Sequence, residues 1–524
     1  MGASIEHRTL DCDIAIVGAG ASGIFLAARY AAAGKRVLVL EAGPAWQRSD
    51  LVSSQIWARR LKWGGTPVGR AGNHPVGHNM ATGWGLGGAA LHHYAGWPRL
   101  RPEDFELHSR YGVGLDWPIG YEDLRPFYDS IQREVGIAGD AATEEGIPPG
   151  EPYPMPPLPG FKQGELLAPG FIAAGLKVSA APTAVNSQAY RGRPACLYDG
   201  WCDAGCPTGA LANPLVLHFA DAVKHGAVFR TGCTVTRLLT ASGRSEIEQL
   251  EYVDADGARQ RCRASYFVLA GSAVQNARLL LQSGVPGQGL ANSSALVGHY
   301  FNCHSLVTTY GVMPQSTDNY LGLSAGQHIS FSEYRKTRDH GPFGSYFLGF
   351  GAALKPNDLL GIANTRPDLM GAALHRFMRD EGKRVTSINA ECENLPQRDN
   401  RIALAPQRDR FGQPLPVLHH SLDDAALALW QHARATAERV MTRAGAQSVW
   451  SSGLITAHPM GGTIMGSDPA HSVTDSYGIC HDLRNLQITG AGLFPSGGAV
   501  GPTFTIYALA QRAAEYTLAN WRQT

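Results

Sequence analysis

Cysteine placement is the feature of this 524-residue sequence that most directly suggests chemistry. Three of the nine cysteines, Cys196, Cys202 and Cys206, lie in the stretch CLYDGWCDAGCP, where a proline follows the last one. The total is odd and the other six cysteines are scattered, which does not indicate a disulfide scaffold. Zinc sites normally use four ligands, often as paired CxxC motifs, and the C-x5-C-x3-C spacing does not match that pattern.

Iron–sulfur clusters are the metal chemistry that suits this spacing. They take thiolates from short irregular loops, and a Cys-Pro pair is a familiar end to such a run. Three thiolates match three irons, so the loop predicts a [3Fe–4S] cluster, whereas a [4Fe–4S] cluster would need a fourth ligand. The alternative interpretation is that these cysteines are buried structural residues.

A second chemical motif lies near the N-terminus. The apolar strand DIAIV is followed at once by Gly18, Gly20 and Gly23 in a GxGxxG arrangement, then by a helical pattern, a second apolar strand and Glu41. The glycines allow a tight turn, close approach of a pyrophosphate and close helix packing, while the acid can accept ribose hydroxyls. The unit predicts a dinucleotide-binding α/β fold, and by itself it does not distinguish NAD from FAD.

Composition excludes several classes of function. The chain is 44% hydrophobic and 17% charged, with a formal net charge of +1, so it gives no case for binding nucleic acid or for electrostatic membrane binding. No apolar run approaches the roughly 20 residues that a membrane span needs. The first strand begins within about a dozen residues, so no cleaved signal peptide is predicted.

Several separated blocks resemble the glucose–methanol–choline (GMC) oxidoreductase family, which binds FAD. They occur in the family's order along the whole chain: EAGP after the second strand, GWGLGGAALHHYAGWPRL at 83–100, DWPIGYEDLRPFY at 116–128, VLAGSAVQNARLLLQSG at 268–284, HPMGGTIMG at 458–466, and NLQITGAGLFPSGGAVGPTFTIYALAQRAAE at 485–515.

The resemblance implies an α/β fold (α+β overall), with a Rossmann-like FAD-binding domain and a discontinuous substrate domain on an antiparallel sheet. YFLGFGAAL and RVTSINAECE are expected to be strands of that sheet, and DDAALALWQHARATAERVMTRAG a helix following them. The expected FAD-binding domain collects 1–100, 190–305 and 455–524, with the cysteine loop inside it, and the substrate domain collects 101–189 and 306–454.

The resemblance also assigns the cofactor residues. In addition to the GxGxxG glycines and Glu41, the residues expected at the flavin are Gly87, Gly88, Ala89, His92, Val235, Ala270 and Thr503. Several family members carry a histidine at the position of His92 that is bonded covalently to the flavin. His92 is therefore either a covalent anchor or a noncovalent neighbour of the ring.

His458 is the residue that the resemblance implies as the catalytic base. Oxidising a C–OH group removes a hydride from carbon and a proton from oxygen, and an imidazole suits the proton because its pKa lies near neutrality. The family usually places a second His or Asn downstream to bind the substrate hydroxyl, but Gly501 occupies that position here. Three replacements stay open: another residue, such as His304 or one in the 320–350 segment, a water, or a bulkier substrate with hydroxyls of its own.

Within the family, the GRP-x-C, PYPMPPLP and TIMG blocks are closest to the catalytic subunits of bacterial FAD-dependent glucose, gluconate, sorbitol and fructose dehydrogenases. That branch implies a dehydrogenase of a sugar, glycoside or polyol whose cluster passes electrons to a cytochrome c or a dye. It also implies a small chaperone-like partner subunit that carries the export signal, and hence the bacterial periplasm; without such a partner the location would be cytoplasmic. The alternatives are an oxidase producing hydrogen peroxide, with structural cysteines, and a non-redox flavin lyase.

Overall fold

The computed structural model describes residues 9–62, 65–77, 82–240, 245–338 and 341–521. Its α-helices are α1 (Ala21–Ala32), α2 (Gln55–Lys62), α3 (Leu107–Tyr111), α4 (Tyr121–Val135), α5 (Lys162–Ala173), α6 (Ala220–Lys224), α7 (Ala273–Gln282), α8 (Pro356–Ala363), α9 (Ala372–Arg376), α10 (Asp424–Arg443) and α11 (Thr503–Ala519). Its strands are β1 (Thr9–Val17), β2 (Val37–Leu40), β3 (Gly69–Ala71), β4 (Ser179–Ala180), β5 (Val228–Arg230), β6 (Thr234–Thr240), β7 (Ile247–Val253), β8 (Arg259–Leu269), β9 (Asn302–Val312), β10 (His328–Ser330), β11 (Tyr346–Phe350), β12 (Val385–Cys392), β13 (Arg401–Arg408), β14 (Pro414–His419), β15 (Ser448–Ser451), β16 (Ile455–Met460) and β17 (Leu486–Ile488).

A parallel sheet is built around the N-terminal motif. Its order is β5-β2-β1-β8, with β17 parallel to the end of β8, while β7 and β6 extend the other half of β8 as an antiparallel hairpin. Ile14 and Ile16 on β1 are fully buried, as expected for a central parallel strand. The chain leaves β1 toward α1 and leaves β8 toward α7, so a crevice opens at the carboxyl ends of these two strands, where such sheets bind ligands.

A second, antiparallel sheet has the order β9-β12-β11-β10-β4, and β15 and β16 pair with the two halves of β9 on its free edge. Helix α10 packs over β9 and β12 on one face. Because side chains alternate along a strand, Ile388, Ala390 and Cys392 of β12 join the apolar core under this helix. The intervening Ser387, Asn389 and Glu391 face the other way, into a cavity. A third, small sheet has the order β13-β14-β3.

The mixed α/β fold class with a Rossmann-like unit is confirmed, and the predicted strand, helix, strand order around GxGxxG is observed as β1, α1 and β2. The expected strands and helix of the middle region are present as β11, β12 and α10. No helix in the described ranges is long and apolar enough to cross a membrane.

Some elements on opposite sides of the predicted domain boundaries pair or pack with each other. Strand β9 runs through the boundary expected at 305/306, and β16, expected in the FAD-binding domain, pairs with it in the antiparallel sheet. Helix α4, expected in the substrate domain, packs along α11. The division into two domains stays a prediction, and the first eight residues of the expected FAD-binding domain lie outside the described residues.

Candidate active site

One cavity of about 1160 Å³ lies between the crevice of the parallel sheet and the polar face of the antiparallel sheet. Most of the predicted site residues line it: Gly18, Gly20, Glu41, Gly88, Ala89, His92, Val235, Ala270, His458, Gly501 and Thr503. Gly23 and His304 lie just behind this lining and contact Gly18 and His458, which form it, while Gly87 precedes the lining residue Gly88 in the chain. The structure therefore gathers segments that are hundreds of residues apart around a single space.

The three glycines of the GxGxxG motif have different surroundings. Gly18 has a φ of +102°, and a Cβ there would lie 2.7 Å from the Ala270 carbonyl oxygen. A Cβ on Gly23 would lie 2.1 Å from the Gly18 carbonyl oxygen, so this residue lets α1 pack against the turn. A Cβ on Gly20 would meet nothing within 4 Å, so the space beside it is open to a ligand at the start of α1.

Glu41 ties three loops together at one edge of the cavity. Its carboxylate accepts hydrogen bonds from the backbone N–H groups of Ala19 (2.8 Å), Gly43 (2.8 Å) and Gly85 (3.2 Å). The loop at 83–91 also crosses the motif closely, because a Cβ on Gly88 would lie 2.9 Å from the Cα of Gly20. The buried carboxylate thus holds the rim of the predicted cofactor site in place.

The two adjacent histidines of this loop differ in their freedom. His93 Nε2 lies 2.6 Å from the Ala212 carbonyl and its Nδ1 accepts the Ala95 N–H, so hydrogen bonds fix the ring in the neutral Nε2–H form. His92 lines the cavity, and its Nε2 faces the Thr82 carbonyl at 3.3 Å. Burial lowers the pKa of His92 to about 4, which keeps this ring neutral.

His304, Glu391 and His458 form a histidine–glutamate group. The Nδ1 atoms of His304 and His458 lie 2.9 and 3.1 Å from the same Glu391 Oε1, and 2.9 Å from each other. Burial alone would raise the pKa of the Glu391 carboxyl, but the two histidines hold it at about 2. Burial lowers the pKa of His458, yet the Glu391 carboxylate outweighs this and leaves that pKa above its ordinary value.

His458 presents its remaining nitrogen to the cavity. It lies on β16 with a φ of +61°, an uncommon conformation for a residue with a side chain, and 30% of its side chain is accessible. Its Cε1 and Nε2 edge faces Gly501, where a Cβ would lie 3.7 and 3.8 Å from these two atoms. The position that the family fills with a side chain is therefore open space beside this nitrogen.

His304 is brought next to His458 but is turned away from the cavity. Only 1% of it is exposed, and its Nε2 lies 3.0 Å from the Gly498 carbonyl while its Nδ1 faces Glu391. Both ring nitrogens are thus engaged inside the protein, Nε2 with the Gly498 carbonyl and Nδ1 with His458 Nδ1 and the Glu391 carboxylate.

Sequence reasoning missed Glu391. Its signal is present in RVTSINAECE, where an acid stands on the polar face of a strand whose other face is apolar. Nothing local connects it to His458, because their proximity depends on β12 and β16 pairing with opposite sides of β9. Among the described residues, this group is the one set of three His, Cys, Asp or Glu ligand atoms lying within 4.8 Å of one another, and the three cysteines do not form such a set.

The cysteine loop, residues 196–206, is irregular and partly buried. Cys196 Sγ accepts the Tyr198 N–H at 3.3 Å, and Cys206 Sγ accepts the Leu211 N–H at 3.4 Å. Burial raises the pKa of the Cys202 thiol to about 12, and the neighbouring Cys196 and Cys206 contribute to this rise. Left-handed backbone occurs at four positions of this loop: Tyr198, Gly200, Gly205 and Cys206.

Asp203 connects this loop to the cavity. It lines the cavity, and its carboxylate lies 3.1 Å from Lys62 Nζ and 3.5 Å from Lys355 Nζ. Lys355 Nζ also donates to the Gly200 carbonyl at 3.2 Å, and Lys62 Nζ lies 3.2 Å from the Tyr94 hydroxyl. Two lysines from separate helical segments therefore clamp the turn that carries the thiols against the cavity wall.

Comparison with known proteins agrees with this geometry. The fructose dehydrogenase large subunit of Gluconobacter japonicus is 29% identical over 99% of this chain and 100% of its own length. Paromamine 6'-oxidase of Streptomyces fradiae is 29% identical over 96% of this chain and 90% of its own. The crystal structure of a pyridoxine 4-oxidase from Mesorbium loti shares the fold, with a TM-score of 0.67 at 20% identity over 96% of this chain and 99% of its own.

Family models give the same result. Residues 16–45 match an NAD(P)-binding Rossmann-like domain. Two models described as GMC oxidoreductase match residues 157–306 and 396–510, which are the segments that carry the cysteine loop and the His458 and Gly501 blocks. This chain is therefore an oxidoreductase, and it belongs to the GMC oxidoreductase family.

Proposed function

We propose that the protein is an FAD-dependent dehydrogenase that oxidises a hydroxyl of a sugar, glycoside or polyol to a carbonyl. One observation carries this proposal: a dinucleotide-binding turn and a carboxylate-paired histidine face each other across one cavity. Relatives named for fructose and for paromamine support a hydroxylated small molecule as the substrate.

The residues around the crevice suit FAD. The open space at Gly20 accepts a pyrophosphate at the start of α1, and the Glu41 carboxylate stands at the edge where a ribose would lie. The small residues at Gly88 and Ala89 would let an extended ring system approach the backbone. When bound, FAD supplies the acceptor for the hydride that leaves the substrate carbon.

The proton of the substrate hydroxyl goes to His458 Nε2. The Nδ1–H of this histidine stays with the Glu391 carboxylate, which fixes the tautomer and leaves a lone pair on Nε2 toward the cavity. As Nε2 takes the proton, the resulting imidazolium is stabilised by the adjacent carboxylate. The chain thus supplies a base, an orienting anion and a substrate space.

Anaerobic bleaching of the flavin tests this proposal. Purified protein is expected to contain FAD, and the visible absorbance of this flavin should be lost on mixing with at least one of glucose, methyl β-D-glucopyranoside, lactose or sorbitol. A protein that binds no flavin, or whose flavin is not reduced by any member of a broad alcohol and sugar panel, would overturn the proposal. Reduction without hydrogen peroxide formation under air separates the dehydrogenase from an oxidase, and any reduction excludes a non-redox lyase.

We further propose that Cys196, Cys202 and Cys206 hold an iron–sulfur cluster, with [3Fe–4S] as the first choice. Backbone N–H···S bonds to two of the sulfurs support this, because such bonds are a normal part of cluster environments. The three sulfur atoms do not lie within 4.8 Å of one another, which disfavours a single metal ion. A cluster does not need them so close, because each thiolate binds its own iron. The cluster would pass electrons singly to a cytochrome c or a dye.

Partners and location follow from the same proposal. The name "large subunit" of the Gluconobacter relative supports a multisubunit assembly for that protein. For this chain we propose a small chaperone-like subunit that carries the export signal, a cytochrome c acceptor and a place in the bacterial periplasm. Co-expression with and without such a subunit, followed by fractionation, tests the location.

His92 is proposed as a covalent anchor of the flavin. Its Nε2 faces the Thr82 carbonyl, so Nδ1 carries the lone pair of the neutral ring, and burial keeps the ring neutral. Acid precipitation should leave the flavin attached to the wild type and release it from His92→Ala. Release from the wild type would make His92 a noncovalent neighbour, without affecting the rest of the proposed function.

A further inference from the structure

The glycine at 501 is not required by the backbone. Its φ lies outside the left-handed region, and a Cβ there would make only ordinary contacts at 3.7 Å and beyond. Its neighbours are different, because a Cβ on Gly497 would lie 2.4 Å from Met460 Cε, and Gly498 has a φ of +56° with Asp104 2.8 Å from the Cβ position. Gly501 therefore leaves room for a ligand, whereas close packing requires a glycine at 497 and at 498.

Another residue must supply the second polar contact if the substrate needs one. His304 cannot, because both of its ring nitrogens are used inside the protein and it lies behind the cavity wall. Glu391 already holds both histidines with one oxygen. The candidates that remain nearby are on the polar face of the antiparallel sheet.

Asn389 is the best placed of these. It lies on the same face of β12 as Glu391, two residues away, which is a separation of about 7 Å along a strand. Its Oδ1 accepts a hydrogen bond from Thr308 Oγ1 at 2.7 Å, and Thr308 is the residue directly opposite it on β9. Because this bond uses Oδ1, the Nδ2 donors stay available to a ligand, and both side chains line the cavity.

We infer that Asn389 binds a second hydroxyl of the same substrate, and that the space at Gly501 holds the ring that carries it. The inference rests on the proposed function and narrows its substrate to a polyhydroxylated ring. A simple alcohol can reach His458 but has no second hydroxyl to offer Asn389. The residue that sets specificity thus lies on β12. Position 501, where the family usually has a His or Asn, has no side chain here and accommodates the ring.

The test uses the best ring substrate of the anaerobic panel and its monodeoxy analogues, with flavin reduction as the readout. Wild type is expected to prefer the full substrate over one particular deoxy analogue by about tenfold, the value of one good hydrogen bond. Asn389→Asp keeps the shape and the acceptor but removes the donor, and Asn389→Ala removes both. Both variants should reduce this preference to below about threefold while the rate with that deoxy analogue stays close to wild type.

Gly501→Ala provides the independent arm. Because the added methyl group fits the protein, FAD content and Tm should stay unchanged, while the apparent Kd for the full substrate rises and its limiting reduction rate changes less. Equal losses with both substrates in the Asn389 variants, or an unchanged Kd in Gly501→Ala, would overturn the inference. Either result leaves the proposed function intact, because that function fails only if the wild type binds no flavin or if its flavin is not reduced by any substrate.

Discussion

The histidine–glutamate group and the cysteine loop meet the same cavity but are assembled in opposite ways. The first joins His304, Glu391 and His458 from three strands, and β-sheet register alone brings them within about 3 Å of one another. The second keeps its three thiols within one short stretch of chain, shaped by left-handed turns. One site depends on long-range pairing, and the other depends on local backbone.

The two regions also differ in where their charges lie. The histidine–glutamate group places one carboxylate between two imidazoles, which suits the movement of a proton. At the cysteine loop the charges lie on Asp203 of the loop and on Lys62 and Lys355, which contact it, and not on the thiols. In the proposed function, proton transfer belongs to the first region and electron exit to the second, so mutations in one region should leave the chemistry of the other intact.

The largest expected effect is the loss of proton acceptance at His458. His458→Ala should slow anaerobic flavin reduction by about 10²–10⁴-fold, the usual range for removing a general base. His458→Asn is a second variant, because asparagine tolerates the left-handed backbone at this position. Exposed His471, which pairs with Asp468, is the matched control, and His471→Ala should keep the wild-type rate.

In both His458 variants, FAD content, iron content and Tm are expected to match the wild type. A loss of less than tenfold would assign the base role to another residue and would remove the separation between the two regions.

Replacing any one of Cys196, Cys202 or Cys206 by Ser should collapse cytochrome c reduction while flavin reduction changes by less than about threefold, since the thiols take no part in proton or hydride transfer and sites without shared partners act nearly independently. Iron analysis and low-temperature electron paramagnetic resonance of the oxidised protein should report the loss of the cluster. Buried Cys480 is the control, and Cys480→Ser should keep both iron and cytochrome reduction. Wild-type protein without iron would leave the loop cysteines as structural residues.

Glu391→Gln should act at an intermediate level and should be visible in the pH profile. Loss of a charged hydrogen bond worth about 1.5–3 kcal/mol corresponds to a roughly tenfold to hundredfold slower flavin reduction. His458 must be unprotonated at Nε2 to act, so the wild-type rate should rise with pH through a midpoint above the ordinary histidine value of about 6.5.

Removing the carboxylate lowers the pKa of His458, so the variant's midpoint should move to lower pH even though its plateau rate is lower. A purely structural role for Glu391 would lower the rate without moving the midpoint. The same shift should be absent from the cysteine variants, which keeps the two regions distinguishable.

The sequence could predict the parts of the site that are local patterns, but not the parts that depend on long-range contacts. The GxGxxG unit, His458 and the three cysteines are local patterns, and the chain brings all of these segments to one cavity or its wall. Glu391 and the Lys62–Asp203–Lys355 contacts depend on which strands and loops become neighbours, and no local pattern encodes that. Sequence reasoning also left His304 open as a substrate contact, whereas its burial turns it into a support for Glu391 and Gly498.

The smallest expected effect is at Asp203, where the cysteine loop meets the cavity. Despite burial, contacts with Tyr94 and Asp203 raise the pKa of Lys62, and Asp203 and Asp358 raise that of Lys355, so both lysines stay charged. Asp203→Asn leaves these cations without their shared anion, although Asp358 still lies 3.1 Å from Lys355. We expect a Tm decrease of at most about 4 °C, with a partial loss of iron and of cytochrome reduction, and unchanged flavin reduction.

Asp380, an exposed partner of Arg379, is the matched control, because Asp380→Asn removes an ion pair that contributes little. If Asp203→Asn retained full iron and the wild-type cytochrome rate, the lysine contacts would be irrelevant to the loop; if it slowed flavin reduction instead, the two regions would be coupled through the cavity.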